Sequence, residues 1–107
     1  MNKNEQSFKA ALITKGRKTG KEHSVWLKAV MYNERIYFSR HEPNSDWFLN
    51  SIQNPEVEVE FDSKRYSGIA KLVNDDVLSR KISELKYPGE DRAGEKRVVI
   101  EVTIKNS

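Results

Sequence analysis

Apolar and polar positions alternate along most of this chain, the period of a half-buried β-strand. From Phe8 to Thr14, the residues Phe8, Ala10 and Leu12 share one face. From Ser24 to Met31, Val25, Leu27, Ala29 and Met31 share a face, while Trp26 and Val30 point the other way. Tyr32-Asn33-Glu34-Arg35 reads as a turn into a third strand, Ile36 to Ser39. A polar loop from Arg40 to Asp46 then leads to a short helix through Trp47, Phe48 and Ile52, capped by Asn44 or Ser45. Asn54-Pro55 ends it, because the residue before proline avoids helical backbone. Val57, Val59 and Phe61 alternate with Glu56, Glu58 and Glu60, a strand with one acidic face. Asp62-Ser63-Lys64-Arg65 turns the chain into a fifth strand, Tyr66 to Val73, where Gly68 predicts a bend or bulge. Asp75 or Asp76 caps a second helix with the apolar stripe Leu78, Ile82 and Leu85, stopped by Pro88-Gly89. Val98, Ile100, Val102 and Ile104 form the last strand. The order β-β-β-α-β-β-α-β predicts one mainly-β domain over residues 1–107, with short helices. Six mostly antiparallel strands suggest a small barrel, which leaves no sheet edge exposed.

Between the first two strands lies Thr14-Lys15-Gly16-Arg17-Lys18-Thr19-Gly20-Lys21, with two glycines, two threonine hydroxyls and four cations. Glycine permits left-handed backbone and close approach of amide groups, and clustered N–H groups in a turn form an anion-binding concavity. Arg17 can fork onto a phosphate, while Lys15, Lys18 and Lys21 act as point charges. This basic hairpin loop is the candidate grip for a phosphorylated ligand. The same residues also fit a solvated hairpin tip that binds nothing. It is not a Walker-type loop: Gly16 to Gly20 is one residue short, Lys21 is followed by Glu22 instead of Ser or Thr, and a strand follows instead of a helix.

Composition narrows the chemistry. Charged residues make up 33% of the 107 positions, and the net charge is +3. That excess is too modest to mark a nucleic-acid binder by itself, but its clustering between Lys15 and Lys21 attracts anions. A basic hairpin beside aromatics could also track single-stranded nucleic acid, the lesser reading here. The absence of cysteine excludes disulfides, thiolate catalysis and cysteine-ligated metals. His23 and His41 are the only histidines and have no ligand-spaced partners, so no metal site is expected; each reads as a surface or ligand-contacting group. No serine has a nucleophile-elbow context, and no catalytic residue can be named. No apolar run approaches membrane-spanning length and the N-terminus has no apolar h-region, so a cytoplasmic protein is expected. Trp26, Tyr37, Trp47, Phe48, Tyr66 and Tyr87 could wall a flat apolar pocket, though each alone fits a core or interface role.

Four stretches occur in a telling order: LITKGRKTGKEHSVWL at Leu12 to Leu27, Ile36-Tyr37-Phe38-Ser39, Pro43-Asn44-Ser45-Asp46-Trp47-Phe48-Leu49-Asn50, and Asn54-Pro55-Glu56-Val57-Glu58-Val59. Together, over residues 10 to 73, they resemble the deazaflavin-dependent nitroreductase family, in the split-barrel flavin-binding group related to pyridoxamine-phosphate oxidase. That family carries a T-x-G-R-K-[ST]-G motif before a strand, then a P-x-W-[FY]-x-N helix and N-P-x-V-x-V.

The resemblance implies an FMN-binding type of split β-barrel, usually a homodimer, with coenzyme F-420 (the deazaflavin) or FMN in a groove near the subunit interface. It implies an oxidoreductase that passes hydride to a small electron-poor acceptor such as a quinone or nitro compound; a non-catalytic carrier or sensor of the same cofactor is the alternative. Lys15, Arg17, Lys18, Thr19 and Lys21 would meet the phosphate or acidic tail, Ser39 and Arg40 would lie beside the ring and ribityl chain, and Trp47 would pack near the cofactor. Two departures stand out. Arg40-His41-Glu42 replaces the family's glycine-rich loop, and the C-terminal Y-P-x-Y segment is reduced to Tyr87-Pro88-Gly89-Glu90. The apolar faces of Val25 to Met31 and Val98 to Ile104 exceed what two short helices can cover, which independently suggests a dimer.

Overall fold

The structure, a computed structural model, describes residues 6–16, 18–40, 45–90 and 97–105. The elements follow the predicted order: β1 (Gln6–Lys15), β2 (Glu22–Tyr32), β3 (Arg35–Arg40), α1 (Asp46–Gln53), β4 (Glu56–Phe61), β5 (Lys64–Leu72), α2 (Asp76–Lys86) and β6 (Val98–Ile104). Two hairpins turn on two residues each, Asn33-Glu34 (φ 51° and 64°) and Asp62-Ser63 (φ 51° and 63°). Left-handed backbone at both central positions matches the right-handed twist of the flanking strands, and Asn and Asp tolerate it best.

The strands close into an antiparallel barrel in the order β1-β2-β3-β6-β5-β4, with β4 pairing back onto β1. The β1–β2 ladder runs from Gln6↔Met31 to Lys15↔Glu22. The closing β1–β4 ladder joins only Ala11↔Glu60, Leu12↔Val59 and Ile13↔Glu58. This is the expected split barrel, mainly β with two short helices.

Alternation decides what lies inside. Ala10, Leu12, Ala29, Met31, Ile36, Phe38, Val57, Val59, Phe61, Ala70, Ile100 and Val102 form the buried core, with Val25, Leu27, Val98 and Ile104 packed against it. The apolar faces of β2 and β6 are therefore consumed by the barrel interior. The dimer argument built on their exposure does not hold, because curling the sheet lets each strand cover the others. α1 adds Trp47 and Phe48 to this core. α2 covers part of the outer surface, where Ile82 packs with Val30, Tyr37 and Val99, and Leu78 and Leu85 pack against them.

The helix starts differ. Asp75 caps α2, its Oδ1 accepting the N–H of Val77 at 3.0 Å and of Leu78 at 3.1 Å. Ser45 occupies the N-cap of α1 in extended backbone without a side-chain cap bond, leaving Asp46 in the first turn to meet the helix dipole. Gly68 is not a bulge: β5 pairs through it on both sides, with Val57 and with Ile104. Its role is close approach, since a Cβ there would lie 2.7 Å from Val102 Cγ1 and 2.9 Å from the Thr103 carbonyl.

Candidate functional site

Strand pairing carries β1 and β2 as far as Lys15↔Glu22, and the chain between them folds into a tight loop. The Gly16 N–H donates to the Lys21 carbonyl (2.8 Å), and the Gly20 N–H to the Gly16 carbonyl (3.0 Å). Gly20 sits at φ 71°, where a side chain would be strained. The Lys21 N–H donates to Thr19 Oγ1 at 3.3 Å. These three amides serve the loop itself, so they do not form the anion-binding concavity suggested by the glycines. The side chains of Lys15, Lys18, Thr19 and Lys21 are exposed. Thr19 accepts within the loop and keeps its hydroxyl proton for an external acceptor. Arg17 lies outside the described residues, as does His41.

The root of the loop is buried. Thr14 is tied to α1 by Asn50 Nδ2, which donates to Thr14 Oγ1 at 3.3 Å. Beside this contact opens a cleft of about 490 Å³. His23, Ser24 and Val25 of β2, Arg40 of β3, and Ser45, Asp46, Trp47 and Asn50 around the start of α1 line it. Trp47 is 6% exposed and packs edge-on against Phe38 and Phe48, with ring centroids 6.4 and 6.1 Å away. Its indole Nε1–H is buried and has no hydrogen-bond partner among the described residues. An unpaired donor of this kind costs stability unless a ligand or water meets it.

Arg40 and Trp47 thus share the cleft. Ser39 does not line it, because alternation along β3 sends Ser39 to the opposite side from Arg40, toward α2. There the buried Lys86 ammonium donates to the Ser39 carbonyl at 2.9 Å and to its Oγ at 3.2 Å. The aromatics that could have walled a pocket are mostly dispersed, as their core or interface reading has it. Phe48 is in the core, Tyr66 stacks on Phe61 at 5.0 Å, and Tyr37 donates to Glu101 beneath α2. Tyr87 has Lys28, Lys86 and Arg97 within 4.8–5.3 Å of its ring. Trp26 is 59% exposed on β2.

A smaller cleft of about 160 Å³ lies between β1, β4 and β5. Its charges largely answer one another: Arg65 meets Glu22 and Glu58, each at 2.9 Å. Among the described residues no cluster of three or more metal-ligating side chains occurs, and no helix is long and apolar enough to cross a membrane. Asn50 and Asp46 were not singled out by sequence reasoning, although Asn50 closes Trp47-Phe48-Leu49-Asn50, the part of the family's helix motif that this chain keeps. Lys86, at a helix end beyond that motif, had no signal.

The model of the F420H(2)-dependent quinone reductase family matches residues 4–105. The chain belongs to that family. It is therefore a deazaflavin-dependent oxidoreductase, and of the two cofactors expected, the family carries coenzyme F-420. No curated protein matches the sequence significantly. Solved structures share its fold at low identity. One described as an F420-H2 dependent reductase is 20% identical, with TM-score 0.68 over 88% of this chain and 92% of its own. A Listeria innocua protein proposed to be a pyridoxamine 5′-phosphate oxidase is 19% identical, with TM-score 0.71 over 92% and 84%. A third, described as a domain-swapped dimer, is 21% identical, with TM-score 0.71 over 88% and 78%.

The residues present suit the family's cofactor. The cleft is within the size range of small-molecule sites. Trp47 and Arg40 line it, and the exposed hairpin lysines have the charge that phosphate and carboxylates require.

Proposed function

We propose that the protein reduces a small electron-poor acceptor, a quinone first and a nitro compound second, at the cleft between the basic hairpin and α1. When bound, the reduced deazaflavin supplies the hydride. The chain's own residues bind and orient. Lys15, Arg17, Lys18, Thr19 and Lys21 hold the phosphate and acidic tail, and the surplus lysines suit a deazaflavin's extra carboxylates better than a lone FMN phosphate. Arg40 and Trp47 border the ring, and Trp47 Nε1–H donates to a polar atom of the ligand. Ser39, clamped by Lys86, fixes the end of β3 from which Arg40 projects. Hydride transfer depends on a fixed distance between donor and acceptor more than on a protein base. The observation that carries this reading is a cleft lined by Arg40 and by Trp47, whose buried Nε1–H has no partner among the described residues, at the β2 end of a hairpin that exposes Lys15, Lys18 and Lys21.

The test is a fluorescence titration with coenzyme F-420 and with FMN, followed by oxidation of the reduced, bound cofactor by a panel of quinones and nitroaromatics. Binding with turnover supports the proposal. Tight binding with no turnover across the panel supports the carrier or sensor reading, and preference for FMN overturns the tail assignment. We further propose a homodimer. The solved structure of a dimer with this fold and the exposed Trp26 on β2 support it. Light scattering that returned a monomer at micromolar protein would count against it.

A further inference from the structure

His23 belongs both to the loop and to the cleft. It stands opposite Thr14 in the β1–β2 ladder and lines the 490 Å³ cleft together with Arg40 and Trp47. Its imidazole also lies over Gly16: a Cβ built on that glycine would be 2.9 Å from His23 Nε2 and 3.1 Å from Thr19 Oγ1. Two groups able to donate to an oxyanion therefore converge above one glycine, and only glycine leaves room for them. Among the described residues, the charged groups on the surrounding elements are Lys15 at the end of β1, Lys18 and Lys21 in the loop, Glu22 on β2, Arg40 on β3 and Asp46 on α1. Lysine, arginine and carboxylate side chains ordinarily titrate outside pH 5–8, whereas histidine titrates within it.

We infer that His23 contacts the phosphoryl group of the cofactor as an imidazolium, so that binding takes up a proton and affinity weakens as pH rises. The inference rests on the proposed use of the hairpin as a phosphate grip and adds a regulator to it. An anion in contact favours the charged imidazole. Binding coupled to uptake of one proton loses at most about tenfold in affinity per pH unit across the window between free and bound titration.

The experiment measures the dissociation constant of coenzyme F-420 from pH 5.5 to 8.5 for the wild type and for His23→Gln, His23→Arg, His41→Gln and Lys18→Ala. Calorimetry near pH 7 in two buffers of different ionisation enthalpy counts protons. His23→Arg keeps a permanent cation, so its profile isolates any titration of the ligand itself. Relative to it, the wild type should bind progressively more weakly toward pH 8 and take up a fraction of a proton near pH 7. His23→Gln should bind weakly, with the same pH profile as His23→Arg. Coinciding wild-type and His23→Arg profiles, or a slope that vanishes in His41→Gln instead, would overturn the inference. If the phosphate-grip reading itself fails, Lys18→Ala binds like the wild type at every pH. That outcome is separate, because a failed His23 assignment on a valid grip still shows Lys18→Ala weakened. Circular dichroism of each variant confirms the barrel.

Discussion

Asn50 on α1 donates a 3.3 Å hydrogen bond to Thr14 at the end of β1, and both residues are buried. This bond joins the helix that carries Trp47 to the root of the basic hairpin, so the two walls of the cleft share one anchor. Asn50→Ala leaves the Thr14 hydroxyl without this donor, a loss of about 1–3 kcal/mol. Combined with Thr14→Val in a double-mutant cycle read by urea unfolding, the pair should couple by about 0.5–1.5 kcal/mol. Asn50→Ala should also weaken cofactor binding at a concentration where the variant is fully folded. Strict additivity would show that the bond contributes nothing.

Arg17 and Lys18 test the loop directly. Lys18 is exposed and no barrel packing depends on it. Replacing both by alanine should leave the unfolding midpoint nearly unchanged, because surface charges contribute little to stability. Affinity for coenzyme F-420 should fall by roughly 2–4 kcal/mol, taking about 1.5–3 kcal/mol per charge-assisted bond with a discount for exposure. That corresponds to about 30- to 1000-fold in a fluorescence titration. Unchanged affinity would return the loop to a solvated tip.

Gly68 sits where β5 and β6 press together. In Gly68→Ala the new methyl would meet Val102 Cγ1 at 2.7 Å and the Thr103 carbonyl at 2.9 Å. The valine can rotate, but the carbonyl belongs to the ladder and can move only with the strand. Overpacking of this kind costs about 1–3 kcal/mol, read as a lower urea midpoint at unchanged slope. A midpoint equal to the wild type would show that β6 yields freely there.

Tyr37 predicts an alkaline signature. Burial, with the hydrogen bond to Glu101 at 2.9 Å and its negative charge, raises the phenol well above its usual range, while Arg35 opposes in part. The folded state thus holds the proton more tightly than the unfolded chain. The associated stability is fully present below the unfolded value of about 10 and is lost as pH climbs through the folded one. The difference in unfolding free energy between wild type and Tyr37→Phe should therefore shrink steadily above about pH 10. A difference constant from pH 8 to 11 would contradict the raised phenol.

Much of this protein was legible as a string. The period-two runs from Phe8, Val25, Val57 and Val98 mark strands because a strand must bury alternate side chains whatever it packs against. Asp75 and Pro88-Gly89 bound α2 for equally local reasons, a carboxylate at orphan amides and a residue pair that ends a helix. The crowding of Lys15, Lys18 and Lys21 into one hairpin is a property of covalent order alone. Other features are decided by partners distant in sequence. Whether the apolar faces of β2 and β6 look outward or inward depends on the closure of β4 onto β1. Gly68 reads as a bulge until β6 is laid beside it. Ser39 and Arg40 are neighbours in the chain, yet they part to opposite sides of β3, one to Lys86 and the other to the cleft. His23, Asn50 and Trp47 meet there only because strand register and the Asn50–Thr14 bond bring α1 to the end of β1. Local periodicity is set by backbone geometry within a few residues, whereas a binding site is set by long-range packing, which no local spacing encodes.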